Sequence, residues 1–384
     1  MHYGKVVMQL SILELIMRES NKPIQLVVCT DNNFIAHTAA LLQSVKQHAS
    51  MPVEVHLFAQ LNPTNLGNVT SLSSESFKIC VEEDLPDYSD LPISKVFRSR
   101  LSQSAFWRIA IPDILKDKDK ALYLDSDMIA LGDIAPLWGL DISNVSAAVV
   151  LDSLLTKQRP WVELRMSNER YFNSGMMLLN LVKWRNLNLT EKTLRLVKEN
   201  PEWPYNDQHA LNVALNDDII IIEKKWNVQT QCLLNDPTVV PKLVHFTGFE
   251  KPWHQTSVHP YTKHYRRARD STLFSTSYYP LVMDSDDERI IAKLKVEFPE
   301  GGTIAIWGAG MRGRRLAAFL KENCPQFRIT NLIDIAVKGE FMGIPIKASI
   351  TDKSIKALII ATLPHRDEVL KTVSNLLSDH TKII

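Results

Sequence analysis

The sequence lacks both a long apolar run and a strong net charge. Because no stretch approaches about eighteen consecutive apolar residues, we predict no membrane-spanning helix. The formal net charge is only +1, so no overall field would attract a polyanion, and nucleic acid is not expected as a partner. The four cysteines lie far apart in the chain, a distribution typical of proteins of the reducing cytoplasm.

The N-terminus also lacks the features of a secretion signal. Residues 8–17 are largely apolar, but Gln9, Ser11 and Glu14 interrupt them and no small-residue cleavage site follows. They predict a short amphipathic helix within an N-terminal extension, residues 1–21. The chain has 384 residues, of which 45% are hydrophobic and 23% charged. It is therefore long enough for two or three domains of a cytoplasmic protein.

What the sequence does contain is a regular alternation of short apolar segments and helical stretches. Segments 24–30, 52–58 and 145–151 are rich in apolar and β-branched residues, as buried strands are. Strands that alternate with helices predict an α/β fold with a mostly parallel sheet. We predict a first domain, a linker and a second, smaller domain at residues 22–270, 271–298 and 299–384, respectively.

Two carboxylates follow the apolar segment 121–124. Residues i and i+2 of an extended chain project to the same side, so we expect Asp125 and Asp127 to point together while Ser126 faces away. Two hard oxygen ligands at the end of a strand suit Mg²⁺ or Mn²⁺. The alternative is a pair of surface aspartates that open a turn, which continues at Gly132.

Other polar residues follow further strand-like segments, and in an open α/β sheet such positions gather along one edge. These residues are Asp31, Asn33, Asp152, Asn173 and His245. A lone histidine such as His245 is often only a hydrogen-bonded core residue. Here it is followed by Gly248, which permits close backbone approach, and by Lys251, which brings positive charge. Together these three residues predict a pyrophosphate clamp.

The chemistry that such a clamp supports is the transfer of a sugar from a nucleoside diphosphate. As the sugar leaves, negative charge develops on a phosphate oxygen, and a divalent cation held by Asp125, Asp127 and His245 would stabilise it. Lys251 would add a second positive centre. Because this part of the chain has no Walker-type glycine–lysine loop, phosphate binding would depend on the metal.

Six motifs, in this order along the chain, resemble those of glycosyltransferase family 8. They are VCTDNNF at 28–34, FWR at 106–108, LYLDSD at 122–127, FNSGMMLLN at 172–180 with WR at 184–185, DQ at 207–208 and HFTGFEKPW at 245–253. The resemblance implies a nucleotide-diphospho-sugar transferase domain of GT-A type with a mixed, mostly parallel sheet. It also implies retaining transfer of glucose or galactose from a UDP-hexose to a glycan or lipid-linked saccharide, as in lipopolysaccharide or surface polysaccharide synthesis. The implied cofactor is Mn²⁺, with Mg²⁺ as the alternative.

The same resemblance implies roles for individual residues. Those that would bind the metal are Asp125, Asp127 and His245. Those that would bind the donor are Thr30, Asp31, Asn33, Arg108, Asp125, Ser126, Asn173, Gly248 and Lys251, with Asp31 and Asn33 at the uracil and ribose. The catalytic candidates are Asp152, Asp207 and Gln208, although the amide of Gln208 is a poor nucleophile. One departure from the family pattern is Ser174, where alanine is common.

The C-terminal part has a nucleotide-binding pattern of its own. Gly308, Gly310 and Gly313 form a G-x-G-x-x-G motif between a strand-like stretch and a helix, and Asp334 follows at a distance suited to a ribose hydroxyl. This predicts a small Rossmann-like βαβαβ domain, with either a second nucleotide site or a purely structural role. The alternative functions are an NAD-linked or nucleotide-sugar-modifying enzyme acting through this domain, and a non-catalytic nucleotide-sugar-binding protein.

Residues 261–269 mix aromatic and basic side chains. The favoured interpretation is a solvated face near the end of a domain. The alternative is a peripheral contact with the inner face of the membrane, because a lipid-linked acceptor would lie on an anionic surface.

Overall fold

The computed structural model describes residues 22–93, 103–236, 238–350, 352, 354–362, 366–373, 377 and 380–384. The predicted N-terminal extension, with its helix, lies outside these residues. The chain divides into two units. The first unit runs to Phe249 and includes Lys263–Ser275, and the second contains Glu250–Thr262 and Thr276–Ile384. Residues 250–262, which the predicted domain bounds assign to the first domain, thus group with the second unit.

The first unit contains a seven-stranded sheet with the order β3-β2-β1-β4-β7-β6-β8. Its strands are β1 (Ile24–Asp31), β2 (Val53–Gln60), β3 (Phe77–Glu82), β4 (Lys120–Leu124), β6 (Ala147–Leu151), β7 (Phe172–Asn180) and β8 (Ile219–Ile221). Strands β3, β2, β1 and β4 are parallel to one another, as are β6 and β8. Only β7 is antiparallel to its neighbours, β4 and β6. The prediction of a mixed, mostly parallel sheet is therefore confirmed.

Strand β1 shows why this sheet is covered on both sides. Leu26 and Val28 pack into one apolar cluster and Val27 and Cys29 into another, and all four side chains are buried. Because successive side chains of a strand point to opposite faces, an unbroken apolar run suits a central strand with both faces covered. The helix Ile35–His48 packs against the first of these clusters.

A smaller sheet of the first unit has the order β5-β10-β9. Its strands are β5 (Met128–Ala130), β9 (Val228–Gln229) and β10 (Leu243–His245). Strand β10 is antiparallel to β5 and parallel to β9. Besides Ile35–His48, the first unit contains the α-helices Pro63–Thr70, Ile111–Ile114, Ala135–Trp138, Pro160–Glu163, Leu181–Asn186, Leu189–Glu199, Asn206–Leu215 and Thr230–Asn235. The helix Thr262–Asp270 also belongs to this unit, except for its first residue. The 3₁₀ helices are Gln103–Ala110, Leu155–Gln158 and Lys224–Trp226.

The second unit contains a six-stranded sheet with the order β13-β14-β12-β11-β15-β16. Its strands are β11 (Gly302–Trp307), β12 (Phe327–Ile333), β13 (Gly339–Phe341), β14 (Ile344–Lys347), β15 (Ala357–Ile360) and β16 (Lys382–Ile383), and its helices are Ser285–Glu297, Met311–Asn323 and Arg366–Val373. All neighbouring strands are parallel except β13 and β14. The Rossmann-like assignment of this unit stays a prediction.

The structure differs from the predicted linker at residues 271–298. This segment contains the helix Ser285–Glu297, whose Ile291 and Leu294 pack into the core of the second unit. Asp284 precedes the helix and accepts hydrogen bonds from the backbone amides of Asp286 and Asp287. In return, Asp287 Oδ2 accepts from the amide of Asp284 at 3.3 Å, which completes a capping box. The acidic residues 284–288, which lie within the predicted linker, are therefore the beginning of a helix.

Among the residues that the structure describes, none of the helices combines the length and the hydropathy that crossing a membrane requires.

Candidate active site

Asp125 and Asp127 follow β4 and lie in a turn that leads into β5. The expectation that they align because they share one side of an extended strand is therefore wrong, although the two carboxylates do come together. The Nε2 atom of His245 lies 3.1 Å from Asp127 Oδ1 and 3.7 Å from Asp125 Oδ2. One ligand atom from each of the three residues lies within 4.8 Å of the other two.

Strand β10 brings His245 to this turn. It pairs with β5 so that His245 lies opposite Met128, and the amide of Phe246 donates to the carbonyl of Asp127 at 3.0 Å. Backbone hydrogen bonds thus fix the histidine beside the carboxylates even though they are distant in sequence. The imidazole is buried, whereas the side chains of Asp125 and Asp127 are 20% and 17% exposed, which leaves the carboxylates accessible to a substrate.

Asn227 fixes which nitrogen of His245 faces the carboxylates. Its Nδ2 donates to Asn173 Oδ1 at 3.0 Å, so its Oδ1 is the atom 3.1 Å from His245 Nδ1. A carboxamide oxygen can only accept, so Nδ1 carries a proton and Nε2 is the nitrogen that faces the two carboxylates. Outer hydrogen bonds of this kind are typical of histidines that bind metal ions.

Gly175 provides the space that this cluster occupies. A Cβ atom at this position would lie 2.2 Å from His245 Cε1 and 2.7 Å from Asp125 Oδ2. The glycine lies where the pairing of β6 with β7 is interrupted, since Val149 pairs with Met177 but Val150 pairs with Asn173. Such bulges often occur beside active sites, where they redirect side chains.

A second set of contacts holds the other oxygen of Asp125. The hydroxyl of Tyr123 donates to Oδ1 at 2.5 Å, and Arg108 Nη1 lies 3.1 Å from the same atom. Burial raises the pKa of Tyr123 well above its ordinary value, so the hydroxyl remains a donor. Oδ1 is therefore bound within the protein, while Oδ2 faces His245.

Arg108 is buried between two carboxylates. Besides Asp125, its guanidinium contacts Asp207, with Nε 3.6 Å from Oδ2. Burial lowers the pKa of Arg108, but the charges around it, chiefly that of Asp125, outweigh this effect and keep the pKa above its ordinary value. Burial raises the pKa of Asp207, and the nearby arginine opposes that shift. Arg108 and Asp207 thus form part of the structure around Asp125, while their predicted roles stay predictions.

The other catalytic candidates form one hydrogen-bonded cluster. Gln208 Nε2 donates to Asp152 Oδ2 at 3.2 Å, and its Oε1 accepts from the amide of Ser174 at 3.1 Å and from its hydroxyl at 3.3 Å. Asn173 Nδ2 donates to Asp152 Oδ2 at 3.1 Å. Asn173 lies at the start of β7, but because β7 is antiparallel to its neighbours, that start meets the carboxyl end of β6. The structure therefore brings Asp152, Asn173 and Gln208 together.

The predicted nucleoside-binding residues lie at the end of β1. Asp31 Oδ1 accepts from the amides of Asn33 and Phe34 at 2.8 and 3.0 Å, which closes a turn. The buried hydroxyl of Thr30 lies 2.8 Å from the hydroxyl of Thr38. Since β1 is the parallel neighbour of β4, these residues share an edge of the sheet with Asp125.

Ser126 faces away from the metal candidates, as expected. Its hydroxyl donates to the carbonyl of Cys29 at 2.8 Å and accepts from Thr38 at 3.0 Å. These contacts bind the turn of Asp125 and Asp127 to β1. Its predicted role in donor binding stays a prediction.

The motif that begins at His245 is divided between the two units. Gly248 belongs to the first and has a φ of +86°, a conformation that favours glycine. Lys251 belongs to the second unit, where its Nζ lies 5.8 Å from the centre of the Trp253 ring. The predicted roles of Gly248 and Lys251 in diphosphate binding stay predictions.

Sequence reasoning did not single out several residues around the candidates, among them Asn227, which contacts His245, Tyr171, which contacts Gln208, and His209, which contacts Tyr171. Asn227 is distant in sequence from all of them and carries no motif of its own. Tyr171 and His209 are adjacent in sequence to Phe172 and Gln208, and the hydroxyl of Tyr171 lies 2.6 Å from His209 Nδ1. A titratable residue beside Gln208 was the one available signal for His209.

The family model for glycosyl transferase family 8 matches residues 25–257, which is more than half of the chain and contains the whole cluster around Asp125. The chain belongs to this family. The predicted family resemblance is thereby confirmed.

Known proteins resemble this glycosyltransferase to different extents. General stress protein A of Bacillus subtilis (strain 168) is 30% identical over 278 residues, which cover 67% of this chain and 96% of that protein. Lipopolysaccharide 1,2-glucosyltransferase of Escherichia coli (strain K12) is 31% identical over 173 residues, which cover 40% of this chain and 50% of that enzyme. The chain thus spans about half the length of the glucosyltransferase.

A solved structure establishes the type of fold. The galactosyltransferase LgtC, in complex with donor and acceptor sugar analogs, superposes with a TM-score of 0.59 at 20% identity. The match covers 66% of this chain and 98% of LgtC. At this identity the likeness concerns the fold alone, and the predicted GT-A type fold is confirmed.

The glycine motif of the second unit lies outside the region that matches the family. A Cβ at Gly313 would lie 1.9 Å from the carbonyl oxygen of Gly308, so the helix Met311–Asn323 approaches the end of β11 closely. Asp334 Oδ2 accepts from the amide of Ala309 at 3.0 Å, and its Oδ1 accepts from two amides of its own loop. The predicted site residues Gly308, Gly310, Gly313 and Asp334 are thus neighbours, and the carboxylate holds the glycine loop.

Proposed function

We propose that this family 8 glycosyltransferase transfers glucose or galactose from a UDP-sugar to a glycan acceptor, with a divalent metal ion and with retention at the anomeric carbon. The observation that supports this most is the cluster of Asp125, Asp127 and His245. The name of the Escherichia coli relative supports an acceptor in lipopolysaccharide or another surface polysaccharide. The retaining outcome follows the family resemblance of the sequence motifs.

The residues of the cluster fit a divalent ion. Two carboxylates and an imidazole are common ligands, and Nε2 of His245 faces the carboxylates while Nδ1 contacts Asn227. Mg²⁺ is usually held by oxygen alone, so the nitrogen in this set favours Mn²⁺. When bound, the ion would supply positive charge to the diphosphate as the sugar leaves.

The protein's own residues would orient the donor around this point. Arg108 lies beside Asp125 and brings a permanent positive charge to the sugar side of the site. Asp31 and Asn33, at the end of β1, would contact the nucleoside. Because most of these side chains are already held by hydrogen bonds, little reorganisation is needed when the substrate binds.

The contacts of Gln208 support direct attack by the acceptor hydroxyl rather than a covalent intermediate on this residue. Its Oε1 already accepts two hydrogen bonds from Ser174, and a carboxamide oxygen is a weak nucleophile. We therefore assign Gln208 to binding the sugar and acceptor, together with Asp152 and Asn173.

The test is release of UDP from UDP-glucose and UDP-galactose, measured with Mn²⁺, with Mg²⁺ and with a chelator. We expect turnover with Mn²⁺ that chelation abolishes and that Asp125→Asn reduces by about a hundredfold or more. Asp117→Asn is the matched control, since Asp117 lies on the surface of the same unit with its side chain 77% exposed. Full turnover in chelator would contradict the proposal.

We also propose that the protein binds the membrane surface peripherally when the acceptor is lipid-linked. In the helix Thr262–Asp270, Tyr265 and Ala268 are buried, whereas Lys263 and Arg267 are exposed. One face of the helix is thus available to anionic lipid. Replacing Lys263, Arg266 and Arg267 by alanine should reduce sedimentation with anionic liposomes, and unchanged sedimentation would contradict this proposal.

A further inference from the structure

The side-chain amide of Gln208 is held at both its oxygen and its nitrogen, and one of its partners, Tyr171, is not among the residues predicted from the motifs. On the oxygen side, Ser174 donates twice to Oε1. On the nitrogen side, Nε2 donates to Asp152 Oδ2 and to the hydroxyl of Tyr171, each at 3.2 Å. Tyr171 is therefore a direct partner of the residue assigned to the sugar and acceptor.

The hydroxyl of Tyr171 is itself fixed by His209. Since it accepts from Gln208 Nε2, its own proton must go to another acceptor, and His209 Nδ1 lies 2.6 Å away. Burial lowers the pKa of His209 to about 4, so the ring is neutral at physiological pH and Nδ1 can accept. The direction of both hydrogen bonds is thus determined: Gln208 donates to Tyr171, and Tyr171 donates to His209.

Both side chains of this pair are confined by packing. The rings of Tyr171, Trp203 and Tyr205 contact His209 edge to face, with centroids 5.6 to 5.7 Å apart. Tyr171 is also fully buried in a small apolar cluster with Leu155 and Trp161, which lie between β6 and β7. An alternative rotamer for either ring would have to displace these neighbours.

The loop between β6 and β7 ends at the residues that bind Gln208 Nε2. Asp152 and Tyr171 stand at its two ends, where the amide of Asp152 donates to the carbonyl of Tyr171 at 3.0 Å. Gln208 thus contacts both ends of one closed loop. Its amide orientation depends on that closure.

We propose that Tyr171 and His209 are positioning residues for the transfer reaction, which fix the amide of Gln208 with its nitrogen toward the base of the β6–β7 loop and its oxygen toward Ser174. This inference rests on the proposed function. Neither residue needs to contact substrate. Their effect passes through Gln208, so it should appear in kcat rather than in binding of the donor.

The first test is Tyr171→Phe, which removes the hydroxyl and keeps the ring. We expect kcat to fall about 10- to 100-fold, as for other residues that orient an active-site group, with KM for the UDP-sugar nearly unchanged. His209→Asn keeps an acceptor near Nδ1 and should retain more kcat than His209→Phe, which has none. Thr193→Val is the matched control, because it removes another buried hydroxyl, bonded to Leu189 O at 2.7 Å, and should leave kcat unchanged.

A double-mutant cycle separates this role from a merely structural one. If Tyr171 acts through Gln208, the double variant Tyr171→Phe with Gln208→Ala should be no slower than Gln208→Ala alone. Losses in kcat that multiply, or a Tyr171→Phe variant with full kcat, would overturn the proposal.

Failure of the proposed function has a different signature, since the wild-type protein would then turn over no UDP-sugar with Mn²⁺. The same cycle on the melting temperature decides the inference in that case. Shifts that are not additive would support the contact of Tyr171 with Gln208, and additive shifts would overturn it.

Discussion

The two units both place an aspartate after a parallel strand, but they use it differently. In the first unit, Asp125 and Asp127 lie beside a buried histidine with their carboxylates partly exposed. In the second, both oxygens of Asp334 accept hydrogen bonds from backbone amides, one of which belongs to the glycine loop. The topology that gathers strand ends at one edge therefore does not by itself make a binding site.

The arginines of the two units show the same contrast. Arg108 lies between Asp125 and Asp207 at the candidate metal cluster. In the second unit, Arg312 and Arg315, which follow the glycine loop, pair with Asp287 at 2.7 and 2.8 Å. Because Asp287 belongs to the helix Ser285–Glu297 and both arginines to the helix Met311–Asn323, these ion pairs join two helices rather than bind a phosphate. The contacts around a motif thus separate a site from a structural connection.

We expect the largest effect, a loss of UDP release, when an aspartate of the first unit is replaced and compared with an aspartate of the second. Asp127→Ala should reduce Mn²⁺-dependent UDP release about 100- to 1000-fold, because it removes one of the three clustered ligands. Asp334→Asn should leave this release unchanged. The measurement is initial rate at saturating UDP-sugar for both variants. The reverse result, with activity dependent on Asp334, would favour the alternative in which the second unit is the active one.

The second effect concerns the orientation of His245. Asn227→Leu removes the acceptor for Nδ1–H, and we expect the Kd for Mn²⁺, measured by titration calorimetry, to rise about 10- to 100-fold. Asn227→Asp keeps an oxygen acceptor at this position and should lose less affinity. Equal losses in the two variants would contradict the assigned hydrogen bond from Nδ1 of His245 to the oxygen of Asn227.

The third effect is on stability and tests the role of Asp334. Burial tends to raise its pKa, but the three amide hydrogen bonds outweigh this and hold the pKa below its ordinary value of 3.8. The unfolded chain then binds a proton more readily than the folded one, so this contribution to stability is present above pH 3.8 and is lost as the pH falls through the lower, folded value. The free energy of unfolding should decrease over that range in the wild type.

Asp334→Asn should show a smaller decrease over the same range, because it has no carboxyl to protonate. Glu340→Gln, at an exposed position of the same unit, is the control and should follow the wild type. Identical pH dependence in wild type and Asp334→Asn would show that the carboxylate does not hold the glycine loop.

Much of the fold could be predicted because a short apolar run in an α/β protein usually forms a buried strand. The run in β1 is buried on both faces, and its end placed Asp31 at the correct edge of the sheet. The convergence of Asp125, Asp127 and His245 was expected on the same grounds, but His245 reaches the carboxylates through the smaller sheet, where β10 pairs with β5. The start of the helix Ser285–Glu297 could also be predicted locally, since Asp284 and Asp287 form a capping box, although we predicted a linker there.

The remaining features of the site depend on long-range contacts that no local sequence pattern predicts. The antiparallel direction of β7 and its bulge place Gly175 and Asn173 at the site, and neither follows from the apolar run itself. Asn227 acts through two side-chain hydrogen bonds, one to Asn173 and one to His245, which lies on a strand that comes later in the chain. Tyr171 and His209 meet only because the loop between β6 and β7 closes beside the helix Asn206–Leu215.

The smallest expected effect decides between the two open roles of the glycine motif. Gly310 has a φ of −72° and no atom within 4 Å of an added Cβ, so Gly310→Ala should change the free energy of unfolding by no more than about 0.5 kcal/mol. Gly313→Ala is the contrasting variant, because its Cβ would meet the carbonyl of Gly308, and it should destabilise the unit.

In a dinucleotide site, however, the second glycine lets the backbone approach the pyrophosphate. If the wild-type protein bound NADH, measured by fluorescence, and Gly310→Ala abolished that binding with stability unchanged, the second unit would be a nucleotide site. Because Asp334 already holds the loop, we expect no NADH binding in either protein.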